Sequence, residues 1–198
     1  RFMNVHENGK FLKGPHSDSL GIRQEHGYTI FVLAKVYENS ESPLLHIFGK
    51  GQNNNGIKLT PLKDNELVFE QGGCCESDTK MVKSENEEIA KYTVYTIRKS
   101  PNERVLNLQT ASNINKFANN TDSISHLSLF INGSLKTKGS SGKAIEINLL
   151  PYPILLNGGG SLKLEGNNMV SALPPCKSDI GGLIIYNRAL SDSEILLV

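Results

Sequence analysis

His126-Leu127-Ser128-Leu129-Phe130-Ile131-Asn132-Gly133-Ser134-Leu135-Lys136-Thr137 is the stretch on which the fold turns. Leu127, Leu129 and Ile131 recur at every second position, the period of a strand with one buried face. Asn132-Gly133 then supplies two residues at ease with positive φ, as both central positions of a type I′ turn require. The twist of that turn matches two antiparallel strands. The stretch therefore predicts a hairpin with Leu127, Leu129 and Ile131 on the core.

Working outward, the same grammar of short alternating or apolar runs closed by Gly, Asn, Ser or Pro repeats along the chain. Tyr28 to Tyr37 (YTIFVLAKVY) is apolar on both faces in its middle, as a covered central strand should be. Leu44 to Phe48, Leu67 to Glu70, and Tyr92 to Arg98 read as further strands, the last with Tyr92, Val94 and Thr96 on one face and Thr93, Tyr95 and Ile97 on the other. Ile145 to Leu150, Ile154 to Leu156, Ser161 to Leu164, and Gly182 to Tyr186 follow. The charged segment from Glu76 to Lys91 reads as a solvated loop or fraying edge. Ser100 to Ser125 reads as a long polar loop with a short strand from Val105 to Leu108. Ser191 and Glu194 stand at capping-box spacing and predict one helical turn. The sum is an all-β chain, a two-sheet antiparallel β-sandwich, read as one domain over residues 1–198 with a loop inserted at 100–125.

Composition narrows the function. Twenty-one basic and 20 acidic residues leave a net charge of +1, too small a field to gather nucleic acid. No apolar run approaches the ~20 residues of a membrane-spanning helix, so membrane insertion is not expected, and the opening RFMNVHENGKFLKG lacks the apolar run of a signal peptide. Cys74, Cys75 and Cys176 are too few for a disulfide scaffold, and two free thiols or one bridge to Cys176 are the readings open. Five scattered histidines give no zinc pattern.

Five segments taken in order resemble the laminin G-like domain of the concanavalin A-like superfamily. They are Gly27 to Val32 (GYTIFV), Phe48 to Gly51 (FGKG), Leu129 to Gly133 (LFING), Ile154 to Gly159 (ILLNGG), and Ile185 to Ile195 (IYNRALSDSEI). The resemblance covers most of the chain and implies a concanavalin A-like jelly roll, with a first strand before Ser17. Two departures stand out: Lys91 to Tyr95 (KYTVY) replaces the family's WHHVA, and 100–125 has the look of an insertion.

Related sandwich enzymes that cleave β-glucans carry E-x-D-x-x-E on one strand, and this chain has no such run. Its nearest pair, Glu66 and Glu70, lacks the intervening Asp, and Glu85, Glu87 and Glu88 lie in a polar run. No Gly-x-Ser-x-Gly elbow nominates a nucleophile. For sugar binding, Tyr37, Tyr152 and Phe117 are candidate platforms, though the commoner fate of an aromatic in a sandwich is the core. Asn53, Asn54 and Asn55, in a Gly-flanked loop, and Asn157 could offer amides to a ligand. Calcium, which some relatives hold on the rim, would fall to Asp179, Asp64 and Asn157. Asn119 and Asn132 open glycosylation sequons. The expected function is a non-catalytic module that recognises a glycan or protein surface, in an extracellular, cell-surface or virion setting. A structural part of a large assembly, contacting neighbouring subunits, and a glycan-active enzyme are its alternatives.

Overall fold

A computed structural model of the chain describes residues 3–4, 12–23, 26–37, 42–49, 56–62, 65–72, 80–85, 90–105, 122–141, 149–158, 162–165, 168–171 and 176–198. In chain order the strands are β1 (Met3–Asn4), β2 (Leu12–His16), β3 (Tyr28–Val36), β4 (Leu45–Ile47), β5 (Ile57–Pro61), β6 (Glu66–Gln71), β7 (Lys80–Glu85), β8 (Tyr92–Lys99), β9 (Glu103–Val105), β10 (Asp122–Ile131), β11 (Ser134–Ser141), β12 (Pro153–Leu156), β13 (Leu162–Glu165), β14 (Asn168–Ser171) and β15 (Ser178–Tyr186). A 3-10 turn spans Ser17–Leu20, and one helix, α1, spans Asp192–Leu196. The seven-stranded sheet runs β1-β15-β3-β8-β10-β11 with β9 also on β10, the six-stranded sheet runs β2-β12-β4-β5-β6-β7, and β13 pairs with β14 apart from both. All these pairings are antiparallel.

The alternation of side chains fills the space between the sheets. Tyr28, Ile30, Val32, Ala34 and Val36 of β3 are fully buried there, facing Ile57 and Leu59 of β5 and Leu67 and Phe69 of β6 in one cluster. The intervening Phe31 points to the outside of the seven-stranded sheet, where it packs with Phe130, Leu190 and Ile195. This explains why β3 is apolar on both faces: α1 and the segment before it cover its outer side. Burial of Leu190 and Ile195 contributes about 1.5–3 kcal/mol each.

Polar contacts set the position of that cover. Ser191 accepts from the Glu194 N–H while Glu194 reaches back to the Ser191 N–H, the capping box that the spacing predicts. Arg98 donates to the Leu190 carbonyl at 2.8 Å and to Asp192 at 2.6 Å, with its guanidinium 4.8 Å over the Phe130 ring. Arg188 holds Glu194 at 2.7 Å, and that hydrogen bond, with the Ser191 N–H, brings the Glu194 carboxyl down to about 2. Among the described residues this cover lies over the α1 end of the outer face, while toward the start of β8 Tyr92 is 46% exposed.

The hairpin of β10 and β11 forms as read. Asn132 and Gly133 have φ of 50° and 76°, and Leu127, Leu129 and Ile131 lie in the core. Asn132 also accepts from the Val94 N–H at 3.0 Å, which ties the turn to β8. The polar stretch 100–125 is not loop throughout: β9 and the first residues of β10 pair with each other, Asp122 opposite Val105 and Ile124 opposite Glu103. Likewise the charged segment 76–91 contains β7, whose Val82 reaches the core while Met81 and Lys83 face solvent. A strand at a sheet edge needs only one apolar position, so its sequence reads as surface. β5 and β14 are strands beyond those the sequence pattern predicts, and β15 starts at Ser178 rather than at Gly182. Most of the strand expected over Ile145 to Leu150 lies outside the described residues; Leu149 makes a single bridge to Gly49. Cys176 is buried against the core, and Cys74 and Cys75 lie outside the described residues.

Candidate functional site

At the end of the seven-stranded sheet away from α1 the register places Asn4 of β1, Asp179 of β15, Lys35 of β3 and Tyr92 of β8 in one row across four strands. A bulge in β15 makes this row. The pairing shifts between Ile180, opposite Ala34, and Gly182, opposite Leu33, leaving Gly181 as an extra residue. In an unbroken strand Asp179 and Ile184 would face opposite ways. The extra residue lets both lie outward while Ile180, Leu183 and Ile185 turn to the core. Gly181-Gly182 inside a strand is the sequence sign of such a bulge.

Tyr37, just past the end of β3, is anchored by its N–H to the Lys177 carbonyl at 2.9 Å. Its hydroxyl donates to Asp179 Oδ2 at 2.6 Å. Asp179 is only 5% exposed, and its second oxygen, Oδ1, is buried with no hydrogen-bond partner among the described residues. Lys35 Nζ sits 4.7 Å over the centre of the Tyr37 ring and 6.0 Å from that of Tyr92. Two ring faces thus position the ammonium, an attraction worth about 0.5–1 kcal/mol at a surface. Lys35 makes no ion pair or hydrogen bond with the described residues. Tyr92 is 46% exposed, and Lys91, which precedes it, and Lys177, whose carbonyl takes the Tyr37 N–H, are also exposed. The arrangement presents an aromatic face and an ammonium held in place, backed by a buried carboxylate.

The bond to Asp179, then burial, then the Asp179 charge push the Tyr37 phenol up to about 12 from an ordinary 10.0. A raised folded value means that the bond's contribution is whole below pH 10 and is lost as pH rises through 12. Urea midpoints should therefore fall more steeply between those pH values for the natural chain than for Tyr37→Phe; parallel curves would show that the bond adds nothing.

The other expected residues are not gathered here. Asn157 is fully buried, its amide nitrogen donating to the Ser178 carbonyl at 3.1 Å and its amide oxygen accepting from the Ser178 hydroxyl. Tyr152 packs edge-on against Phe48, ring centres 6.3 Å apart, and Phe48 lies against His46 at 3.9 Å outside the six-stranded sheet. Asn53, Asn54, Asn55, Asp64, Phe117, Asn119, Glu87 and Glu88 lie outside the described residues. No group of three or more His, Cys, Asp or Glu suited to a metal occurs among the described residues. Calcium wants six to eight oxygens, and the described residues assemble no such set around Asp179.

Glu66 and Glu70 share a face of β6, but four residues at the rise of a strand separate them by roughly 13 Å. A retaining pair needs about 5–5.5 Å and an inverting pair about 6.5–9.5 Å. Glu66 pairs with Lys83 at 3.2 Å, and Glu70 stands opposite Lys58. Sequence reasoning named Tyr37 and Asp179 for separate reasons and passed over Lys35 and Tyr92. The available sign was the alternation Lys35-x-Tyr37 on the side of β3 away from Val36.

No protein-family model and no curated protein sequence matches the chain. Solved structures do share its fold. The IT-sialidase CBM40 of Ruminococcus gnavus, bound to α2,3-sialyllactose, aligns with 100% of this chain and 95% of its own at a TM-score of 0.62 and 15% identity. The receptor binding domain of botulinum neurotoxin C/D mosaic serotype aligns with 91% of this chain at 0.56 and 17%, and that of botulinum neurotoxin type G with 100% at 0.54 and 15%. This chain spans 37% and 43% of those two toxin chains. The likeness is one of fold: a two-sheet antiparallel β-sandwich.

Proposed function

We propose that this chain is a non-catalytic recognition module that binds a glycan at the end of its seven-stranded sheet away from α1. The observation that carries the reading is the row of Asp179, Lys35 and Tyr92 completed by Tyr37. Sugars bind through C–H faces laid on aromatic rings and hydroxyls bonded to fixed polar groups, and this end of the sheet presents both kinds of group. The fold likeness to a carbohydrate-binding module bound to sialyllactose and to toxin receptor-binding domains supports it. The five ordered motifs further support a laminin G-like, concanavalin A-like module formed by residues 1–198 as one domain, and a setting at a cell surface or outside the cell suits it. The wide separation of Glu66 and Glu70 argues against glycosidase chemistry.

A glycan array probed with the purified chain tests the reading, with Tyr92→Ala as the partner variant and reducing-sugar release from β-glucans, galactans and chitin measured alongside. The expected result is binding to a limited set of glycans, lost in Tyr92→Ala, with no sugar released. Turnover that disappears in Glu66→Gln or Glu70→Gln would promote the enzyme alternative. A silent array would favour the assembly alternative.

A further inference from the structure

We infer that the ligand is an anionic glycan and that Lys35 is the residue that selects it; the inference rests on the recognition reading above. Two features of Lys35 carry it. Its ammonium is positioned, over Tyr37 at 4.7 Å and near Tyr92 at 6.0 Å, rather than left to wander in solvent. Yet the described residues give it no anion and no acceptor. Asp179 occupies the neighbouring row position, but the Tyr37 hydroxyl engages its carboxylate and the two groups form no ion pair. The rings fix the cation through their faces and leave its three N–H donors unspent.

A group with fixed donors and no acceptor is a receptor for one, and a carboxylate or sulfate ester on a sugar supplies it. The half-exposed Tyr92 ring beside Lys35 takes the apolar face of the same pyranose, so charge and ring are read together. Asp179, nine-tenths buried with Oδ1 unpartnered, backs the row and disfavours a second acid placed deep in the site, so one anionic group at Lys35 is the expected chemistry. A sugar offers its apolar face and its charge on one rigid ring, which fits adjacent Tyr92 and Lys35 better than an acidic peptide, whose charges sit on flexible arms.

The test is titration calorimetry of the natural chain, Lys35→Met, Lys35→Arg and Tyr92→Ala against lactose, sialyllactose, sulfated lactose, a glucuronic acid disaccharide and a polyglutamate peptide. At least one acidic sugar should bind about tenfold or more tighter than lactose, as a charge-assisted bond predicts. Lys35→Met should remove that preference with a melting temperature no more than about 4 °C lower, and Lys35→Arg should keep most of it. Whether the carboxylated or the sulfated probes bind names the anion. Lactose binding as tightly as the acidic sugars, with loss in Tyr92→Ala, would overturn the inference while leaving glycan recognition standing. Binding of polyglutamate alone would overturn both, as would silence with every probe.

Discussion

Asn157→Ala should lower stability by about 3 kcal/mol, because removal of its amide strands a buried hydroxyl and a buried carbonyl, each of which costs roughly 1–3 kcal/mol when left unpaired. Both belong to Ser178, which is 1% exposed, and the Asn157 amide serves both. Position 157 also has φ of 61°, a conformation that Asn accepts far more readily than Ala. The residue joins the end of β12 to the start of β15: its N–H reaches the Leu44 carbonyl and its carbonyl takes the Cys176 N–H. In a chain of this size the loss corresponds to a fall in melting temperature of about 6–12 °C. An unchanged melting temperature with impaired ligand binding would instead place Asn157 in the site, as its sequence context suggests.

Gly27→Ala should be at least as damaging, by about 3–5 kcal/mol. Gly27 has φ of 65°, and a Cβ there would stand 2.2 Å from the Lys99 carbonyl oxygen and 2.9 Å from the Ser100 carbonyl carbon. Both are backbone atoms of the neighbouring strand's end and cannot swing aside. Lys99 is itself buried, with its ammonium held by Asn102 at 2.8 Å and its pKa brought down to about 8 by burial, so displacement there disturbs a charged group as well. Gly182→Ala is the control, since a Cβ at that position meets nothing within 4 Å. Equal melting temperatures for the two variants would contradict the close approach of β3 to the end of β8.

These two glycine and asparagine positions show which parts of the molecule a sequence displays. The Asn132-Gly133 turn, the alternation of β3 and β8, and the capping box at Ser191 are legible because each depends on residues within a few places of one another. β7 is not, because an edge strand buries one side chain and is otherwise polar. Asn157 looks like a surface turn beside a run of glycines; its burial is decided by Ser178, 21 residues later. The site has the same character. Asp179 and Tyr37 are each candidates on their own, but their meeting depends on the pairing of β15 with β3 and on the bulge at Gly181. Lys35 and Tyr92 become neighbours through a pairing that joins segments 57 residues apart in sequence. No local pattern encodes that.

The central claim is that this end of the seven-stranded sheet is where a glycan docks, and NMR mapping with side-chain and backbone labels tests it most directly. A glycan that binds on the array should, on titration, shift the signals of Lys35, Tyr37, Tyr92 and Asp179 together, and leave those of Tyr152, Lys58 and Glu70 on the other sheet in place. Shifts confined to the six-stranded sheet, with the Lys35 and Tyr92 signals unmoved at saturation, would contradict it.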